Sequence, residues 1–293
     1  MRDDFAIIIP SYDRVNVLLN NTLKMLNNCD YNGKIYIVVS DNDPQLNEYK
    51  KKIPEEQLYI FHKPDYYDYY DTFFNKKEFN SKLYSLAFIN DKLIDDLNFF
   101  MIIDDDINYF VNRYINNGML KYKKINNNQF NDFLIYYINF LENTIYSCIS
   151  FLGNYTLFNG IKSDIIEKGY NYNLNAIYLF KKDGKFDFCN VFNEEPSSLH
   201  LNSKYNKYEI TLPYIFFDMQ TSDKNINEST GRFDGGYADL QNKIGNFSYV
   251  SSLSLFMCQP NYIKKIVINP KKTICYKDSR NIYPMVIDGR WKK

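Results

Sequence analysis

The sequence predicts a single α/β domain in which a mainly parallel sheet is flanked by helices, and three observations carry that expectation. Phe5-Ala-Ile-Ile-Ile-Pro10, Lys34-Ile-Tyr-Ile-Val-Val39 and Phe99-Phe-Met-Ile-Ile103 are short, continuous apolar runs of the kind buried on both faces of a parallel sheet. Apolar residues between them recur at helical spacing, the alternation of a crossover-connected, Rossmann-like sheet. Each run also ends in a polar cluster: Ser11/Asp13/Arg14, Ser40/Asp41/Asp43 and Asp104/Asp105/Asp106. Open parallel sheets bind ligands beyond the carboxyl ends of their strands, so this convergence marks the candidate site.

Taken in order, the first strand stops at Pro10, and Ser11-Tyr-Asp-Arg14 supplies N-cap chemistry for a helix whose apolar face is Val15, Leu18, Leu19, Leu23 and Leu26. Asn27, Asn28 and Gly33 end it. The second strand closes in Ser40-Asp-Asn-Asp-Pro44, a turn rich in side chains that bond their own backbone, which completes a right-handed βαβ unit. Residues 58–61 form a further strand. Residues 80–93 read as a helix with Leu83, Leu86, Ala87, Asn90 and Leu93 on one face, feeding the strand at 99–103. Beyond it the pattern predicts a helix over 130–149, strands at 174–180 and 185–191 around the turn Lys181-Lys-Asp-Gly184, and a helix over 194–201. A strand at 209–217, a helix at 239–244 and a strand at 248–257 follow. With no internal repeat and no long linker, the expected layout is one domain: a ligand-binding half at 1–110, a second half at 111–260 and a basic C-terminal segment at 261–293.

Composition excludes several classes. Five cysteines, Cys29, Cys148, Cys189, Cys258 and Cys275, are scattered without a CxxC pair, which argues against a disulfide framework or a zinc site and for a reducing cytoplasm. The apolar run at 5–9 is too short for a signal-peptide core or a membrane span, and no later run reaches that length, so a soluble protein is expected. The abundance of Tyr and Phe beside Asn, Ile and Lys follows codon bias more simply than function. Net charge is zero, yet residues 261–293 hold nine Lys or Arg against Asp278 and Asp288, an end suited to a polyanion or to plain solvation.

Three adjacent carboxylates after a buried strand repel one another, and a divalent cation relieves that repulsion. Hard oxygen ligands suit Mn²⁺ or Mg²⁺, whose remaining ligands come from water and substrate phosphates. The bland alternative is a solvated acidic turn. A metal-diphosphate site serves sugar transfer, where the cation stabilises the departing nucleoside diphosphate, and it also serves nucleotidyl transfer. Nucleotidyltransferases are expected to show a Gly-rich loop after the first strand, and Pro10-Ser-Tyr-Asp is not one.

Ile7-Ile-Ile-Pro-Ser-Tyr-Asp-Arg14, Ile35-Tyr-Ile-Val-Val-Ser-Asp41 and Phe100-Met-Ile-Ile-Asp-Asp-Asp106, in that order, resemble the opening elements of GT-A fold nucleotide-sugar glycosyltransferases, the last being their DxD motif. The resemblance implies that Pro10, Ser11, Tyr12, Arg14 and Asp41 hold the nucleoside and that Asp106 ligates the metal. Asp104 would face the ribose or reach the metal through water, Asp105 would sit beside the donor, and Asn80 and Lys82 would approach it from the preceding helix. Phe192-Asn-Glu-Glu-Pro-Ser-Ser-Leu199 further resembles the acidic helix of TET-associated glycosyltransferases, with Glu where those have Asp. Those enzymes glycosylate hydroxymethylated DNA bases, frequently in phages, which implies a UDP-glucose donor, a DNA acceptor and a host-cytoplasm location.

An inverting transfer requires a general base beside the acceptor hydroxyl. Glu194 or Glu195 is the first candidate and Asp239, in Gly235-Gly-Tyr-Ala-Asp239, the alternative; each also suits a helix-capping role. His62 and His200 lie in no metal-spacing motif and read as ordinary surface or core residues. Other acceptors remain open, namely a polysaccharide or protein hydroxyl, as does an inactive nucleic-acid-binding module with the same fold.

Overall fold

A computed structural model describes residues 1–68, 82–117, 119–125, 127–153, 177–188, 198, 202, 205–219, 263–269 and 273–278. Strand β1 (Phe5–Pro10) is buried at all six positions, and its alternating side chains feed two cores. Phe5, Ile7 and Ile9 face one, Ala6 and Ile8 the other, as the period of two in a strand requires. The helix that follows is α1 (Val15–Leu18), a π-helical turn (Leu19–Leu23) and α2 (Lys24–Asn28) in succession. It covers the first core with Val15, Leu18, Met25 and Leu26.

Next come β2 (Lys34–Ser40), α3 (Leu46–Lys52), β3 (Leu58–Phe61), α4 (Lys82–Phe88) with a π-helical end, and β4 (Phe99–Ile103). Leu83, Leu86 and Ala87 of α4 close the second core. The rest of the described chain is β5 (Ile107–Asn116), β6 (Met119–Lys124), α5 (Asn127–Glu142), β7 (Tyr146–Gly153), β8 (Ile177–Lys181) and β9 (Tyr208–Met219). A separate antiparallel pair, β10 (Ile263–Asn269) and β11 (Thr273–Asp278), lies in the basic C-terminal segment.

One sheet holds nine strands in the order β3-β2-β1-β4-β8-β7-β9-β5-β6. The first four are mutually parallel. β8 inserts antiparallel between β4 and β7, β7 and β9 are parallel, and β5 and β6 continue antiparallel to the edge. The α/β class with its parallel block is the one expected from the three apolar runs. Among the described residues no helix is long and apolar enough to cross a membrane.

Two expectations are corrected. The helix expected over 130–149 ends at Glu142, and Tyr146–Gly153 is a strand. The two apolar stretches abut with only residues 143–145 between them, so helical and alternating periods run together by eye. The strand expected at 185–191 does not form over 185–188. There Phe186 and Phe188 are buried as in a strand, but the backbone of Asp187 is satisfied by one side chain: Asn202 accepts its N–H at 2.9 Å and donates to its carbonyl at 2.8 Å. An amide thus does the pairing of a neighbouring strand. Helix α3 and strands β5 and β6 were not anticipated.

Candidate functional site

The carboxyl ends of β1, β2 and β4 meet, and the contacts among them are specific. Asp13 adopts a left-handed conformation, φ 52°, which turns the chain sharply from β1 into α1. Three successive backbone N–H groups there are bonded by side chains from the loop and helix after β2. Asp13 donates to Asp43 Oδ2 at 2.8 Å, Arg14 to the Tyr49 hydroxyl at 3.2 Å and Val15 to Gln45 Oε1 at 3.2 Å. The expected cap residues of this helix do not cap it; Asp43, Tyr49 and Gln45 do so from the segment after the neighbouring strand β2. These N–H groups are therefore occupied and do not form an anion cradle.

Asp43 accepts a second bond from its own turn, Gln45 N–H at 2.7 Å, and burial pushes its pKa up to about 6 against those two donors. Ser11 is nearly buried, and its hydroxyl donates to Asp105 Oδ2 at 2.6 Å while lying 2.7 Å from the Tyr49 hydroxyl. Asp105 is fully buried and forms an ion pair with Arg14 at 2.7 Å. Burial raises its pKa against the pull of Arg14 and of Ser11. Burial would by itself lower the Arg14 pKa, but Asp105, Asp106 and Asp104 together hold it above the ordinary value.

The acidic turn is therefore not three repelling charges facing solvent. Asp105 points inward onto Arg14, Asp106 lies 3.6 Å from the same guanidinium, and half-buried Asp104 pairs with Lys82. Two protein cations, Arg14 and Lys82, thus compensate much of the repulsion for which the sequence suggested a divalent metal. The turn itself is held by Thr22, whose hydroxyl donates to the Asp104 carbonyl at 2.8 Å and accepts the Ile107 N–H at 2.9 Å.

Asp41, beyond β2, is half exposed, accepts the Lys63 N–H at 3.3 Å and pairs with His62 at the end of β3. The Asp41 contact raises the His62 pKa, and although burial opposes it, His62 holds Asp41 below the usual carboxylate range. Tyr12 is half-buried on the loop after β1, and Pro10 is buried as the last residue of that strand. Asn80, Glu194, Glu195 and Asp239 lie outside the described residues. Among the described residues, no three His, Cys, Asp or Glu side chains stand as a ready metal-binding group.

A sequence pattern matches residues 5–225 of this chain: that of the TET-associated glycosyltransferases. The chain belongs to that family. It is a glycosyltransferase, and the match runs from β1 through β9, leaving Asp239 and the basic C-terminal segment beyond it. No curated protein matches the sequence. Among solved structures this TET-associated glycosyltransferase is similar to the mannosyltransferase PcManGT of Pyrobaculum calidifontis, in complex with GDP-Man and Mn²⁺, at TM-score 0.49 and 12% identity over 89% of this chain and 74% of that one. Glucosyl-3-phosphoglycerate synthase of Mycobacterium tuberculosis, with Mg²⁺ and UDP, gives 0.44 and 8% over 94% and 88%. S. aureus TarS with UDP-GlcNAc gives 0.42 and 12% over 86% and 66%.

Sequence reasoning missed Tyr49, Gln45 and Thr22. Thr22 left a signal: it lies four residues from both Leu18 and Leu26, a hydroxyl on the buried face of a helix. Tyr49 left none, because the helix carrying it was not recognised.

Proposed function

We propose that this glycosyltransferase moves glucose from a UDP-sugar to an acceptor hydroxyl, the preferred acceptor being a hydroxymethylated base in DNA. The observation that carries the donor side is the turn after β4, where Asp104 and Asp106 flank an inward Asp105 while Lys82 and Arg14 stand beside them. This donor set fits a hard dication: two carboxylates at i and i+2 offer oxygen ligands, with water and diphosphate oxygens completing the shell. The cluster holds one more carboxylate than cations, so it accepts a Mn²⁺ or Mg²⁺ together with the charge of a diphosphate. Bound there, the metal would supply electrostatic stabilisation of the departing nucleoside diphosphate.

The chain's own groups divide the remaining work. Asp41, held by His62, and Tyr12 on the adjoining loop are the proposed nucleoside contacts. Ser11 and Asp105 act by holding Arg14 rather than by touching the donor, since the Ser11 hydroxyl is already committed to Asp105. Lys82, which pairs with Asp104, would supply positive charge to a donor phosphate. Glu194, Glu195 and Asp239 remain the candidate bases, and residues 261–293 a candidate DNA contact.

The test is thermal stabilisation by a panel of nucleoside diphosphates with and without Mn²⁺, in wild type and Asp106→Ala, because a ligand of the folded state raises apparent stability. A Mn²⁺-dependent shift with UDP, lost in the variant, supports the donor site. No shift with any nucleotide at saturating metal would sink it. Transfer from UDP-glucose to hydroxymethylated DNA, scored against polysaccharide and protein acceptors, then decides the acceptor.

A further inference from the structure

The strand that leaves the acidic turn leads to a surface that donor binding does not use. β5 begins directly after Asp106 and pairs with β9 from Ile107↔Met219 to Asn112↔Ile215. Continuing that register would set Tyr114 against residue 213, a proline, which has no N–H to give to a ladder. Residues 113–116 pair with β6 alone, so the two strands leave the sheet as a ribbon at its outer edge.

One face of that ribbon presents the cross-strand pairs Asn112/Lys123, Tyr114/Lys121 and Asn116/Met119, and all six residues are exposed. Tyr122 is exposed on the opposite face with its ring edge-on to Phe216, and Lys124 lies 3.7 Å over the Tyr109 ring. From residue 107 to 131 the chain carries Arg113, Lys121, Lys123 and Lys124 and no carboxylate, where its average composition would give about three. An edge strand needs charge to refuse a further strand, but either sign serves that purpose. Edge protection alone does not account for a surface of one sign.

We propose that the β5–β6 ribbon is the acceptor-docking surface, and that its occupant is the phosphate backbone of DNA running past the donor site. The proposal rests on the DNA-acceptor reading above. Lys121 and Lys123 meet phosphates, the amides of Asn112 and Asn116 bond phosphate or base-edge groups, and Tyr114 offers a stacking face to an unpaired base. A two-stranded ribbon also fits the major groove. The ten residues of β5 span about 33 Å, close to one turn of B-form DNA. The ribbon therefore grips the acceptor about a turn from the base being modified. An anionic bilayer would be entered by a tip of several apolar side chains, and the tip here sets one exposed apolar residue, Met119, beside Asn116 and Asn117.

The experiment measures binding of a duplex of about 30 base pairs across a salt series, for the full chain and for Lys121→Gln/Lys123→Gln, with Tyr114→Ser as a second variant. The thermal midpoint of each variant is read alongside, to show that it is folded. The proposal expects the double variant to bind about tenfold more weakly at low salt, with the slope of log K against log salt reduced by about two. Tyr114→Ser is expected to weaken binding to single-stranded DNA without changing the slope. Wild type and double variant binding DNA with the same slope would overturn the ribbon and leave the DNA reading standing. Wild type stabilised by UDP and Mn²⁺ but showing no DNA binding would overturn both. Stronger retention on phosphatidylserine vesicles than on DNA, lost in the double variant, would assign the ribbon to a membrane and overturn the proposal.

Discussion

Arg14 is the counter-charge of a carboxylate that has no solvent to retreat to. Replacing it by Met leaves Asp105 buried without its counter-charge, and a broken buried pair costs about 3–5 kcal/mol, which urea unfolding would read directly. Asp105→Asn keeps an oxygen for the Ser11 hydroxyl and is expected to cost less. Asp43 makes a pH prediction of opposite character. Its pKa rises from the ordinary carboxylate value to about 6 in the fold, so between about pH 4 and 6 the folded state binds the proton more tightly than the unfolded state. Its contribution to stability is therefore favourable at the low end of that window and is lost as pH rises through 6, by about 3 kcal/mol. In Asp43→Asn that part of the pH dependence disappears, so the fall in midpoint between pH 5 and 7 is smaller than in wild type. A fall of equal size would show that Asp43 is ionised in the fold at both pH values.

At the scale of elements, the acidic turn is shaped by a helix it does not belong to. Thr22 fastens both the carbonyl of Asp104 and the N–H of Ile107, so Thr22→Val strands a buried N–H and loses a part-buried bond, and is expected to cost about 1–3 kcal/mol. It should also weaken Mn²⁺-dependent stabilisation by UDP, and Thr22→Ser should restore both. If the valine variant is destabilised but binds UDP and Mn²⁺ as wild type does, the turn does not need the clamp. Elements were legible where one period ruled a segment: β1, β2, β3 and β4 stand where their apolar runs placed them. They were illegible where a partner far along the chain decided the matter. The capping of α1 from residues 43–49 is invisible to local reading, and so is the amide of Asn202 that satisfies Asp187 in place of a strand. Strands β5 and β6 escaped because their exposed faces carry Asn, Lys and Tyr, which mimic a loop.

For the molecule as a whole, the polar strand ends told where a ligand would bind but not which way each side chain turns. Ser11, Arg14, Asp105 and Asp106 were all named as candidates, yet only the fold separates the inward pair Ser11 and Asp105 from Arg14 at the rim. Strand order was beyond reach of the sequence for the same reason that α5 and β7 were run together: the second half owes its register to distant pairings. A fragment of residues 1–110 is accordingly expected to lack a cooperative melting transition, since the central strand β4 would have lost its β8 neighbour; a sharp transition would show the parallel block to be autonomous. The insertion of β8 also sets a schedule for biosynthesis. Phe99–Ile103 leaves the ribosome about 80 residues before Ile177–Lys181, and at 5–20 residues per second that is a wait of about 4–16 s. Throughout that interval an apolar strand edge stands open in the cell, so a slowed ribosome downstream of residue 103 should raise the nascent chain's dependence on chaperones.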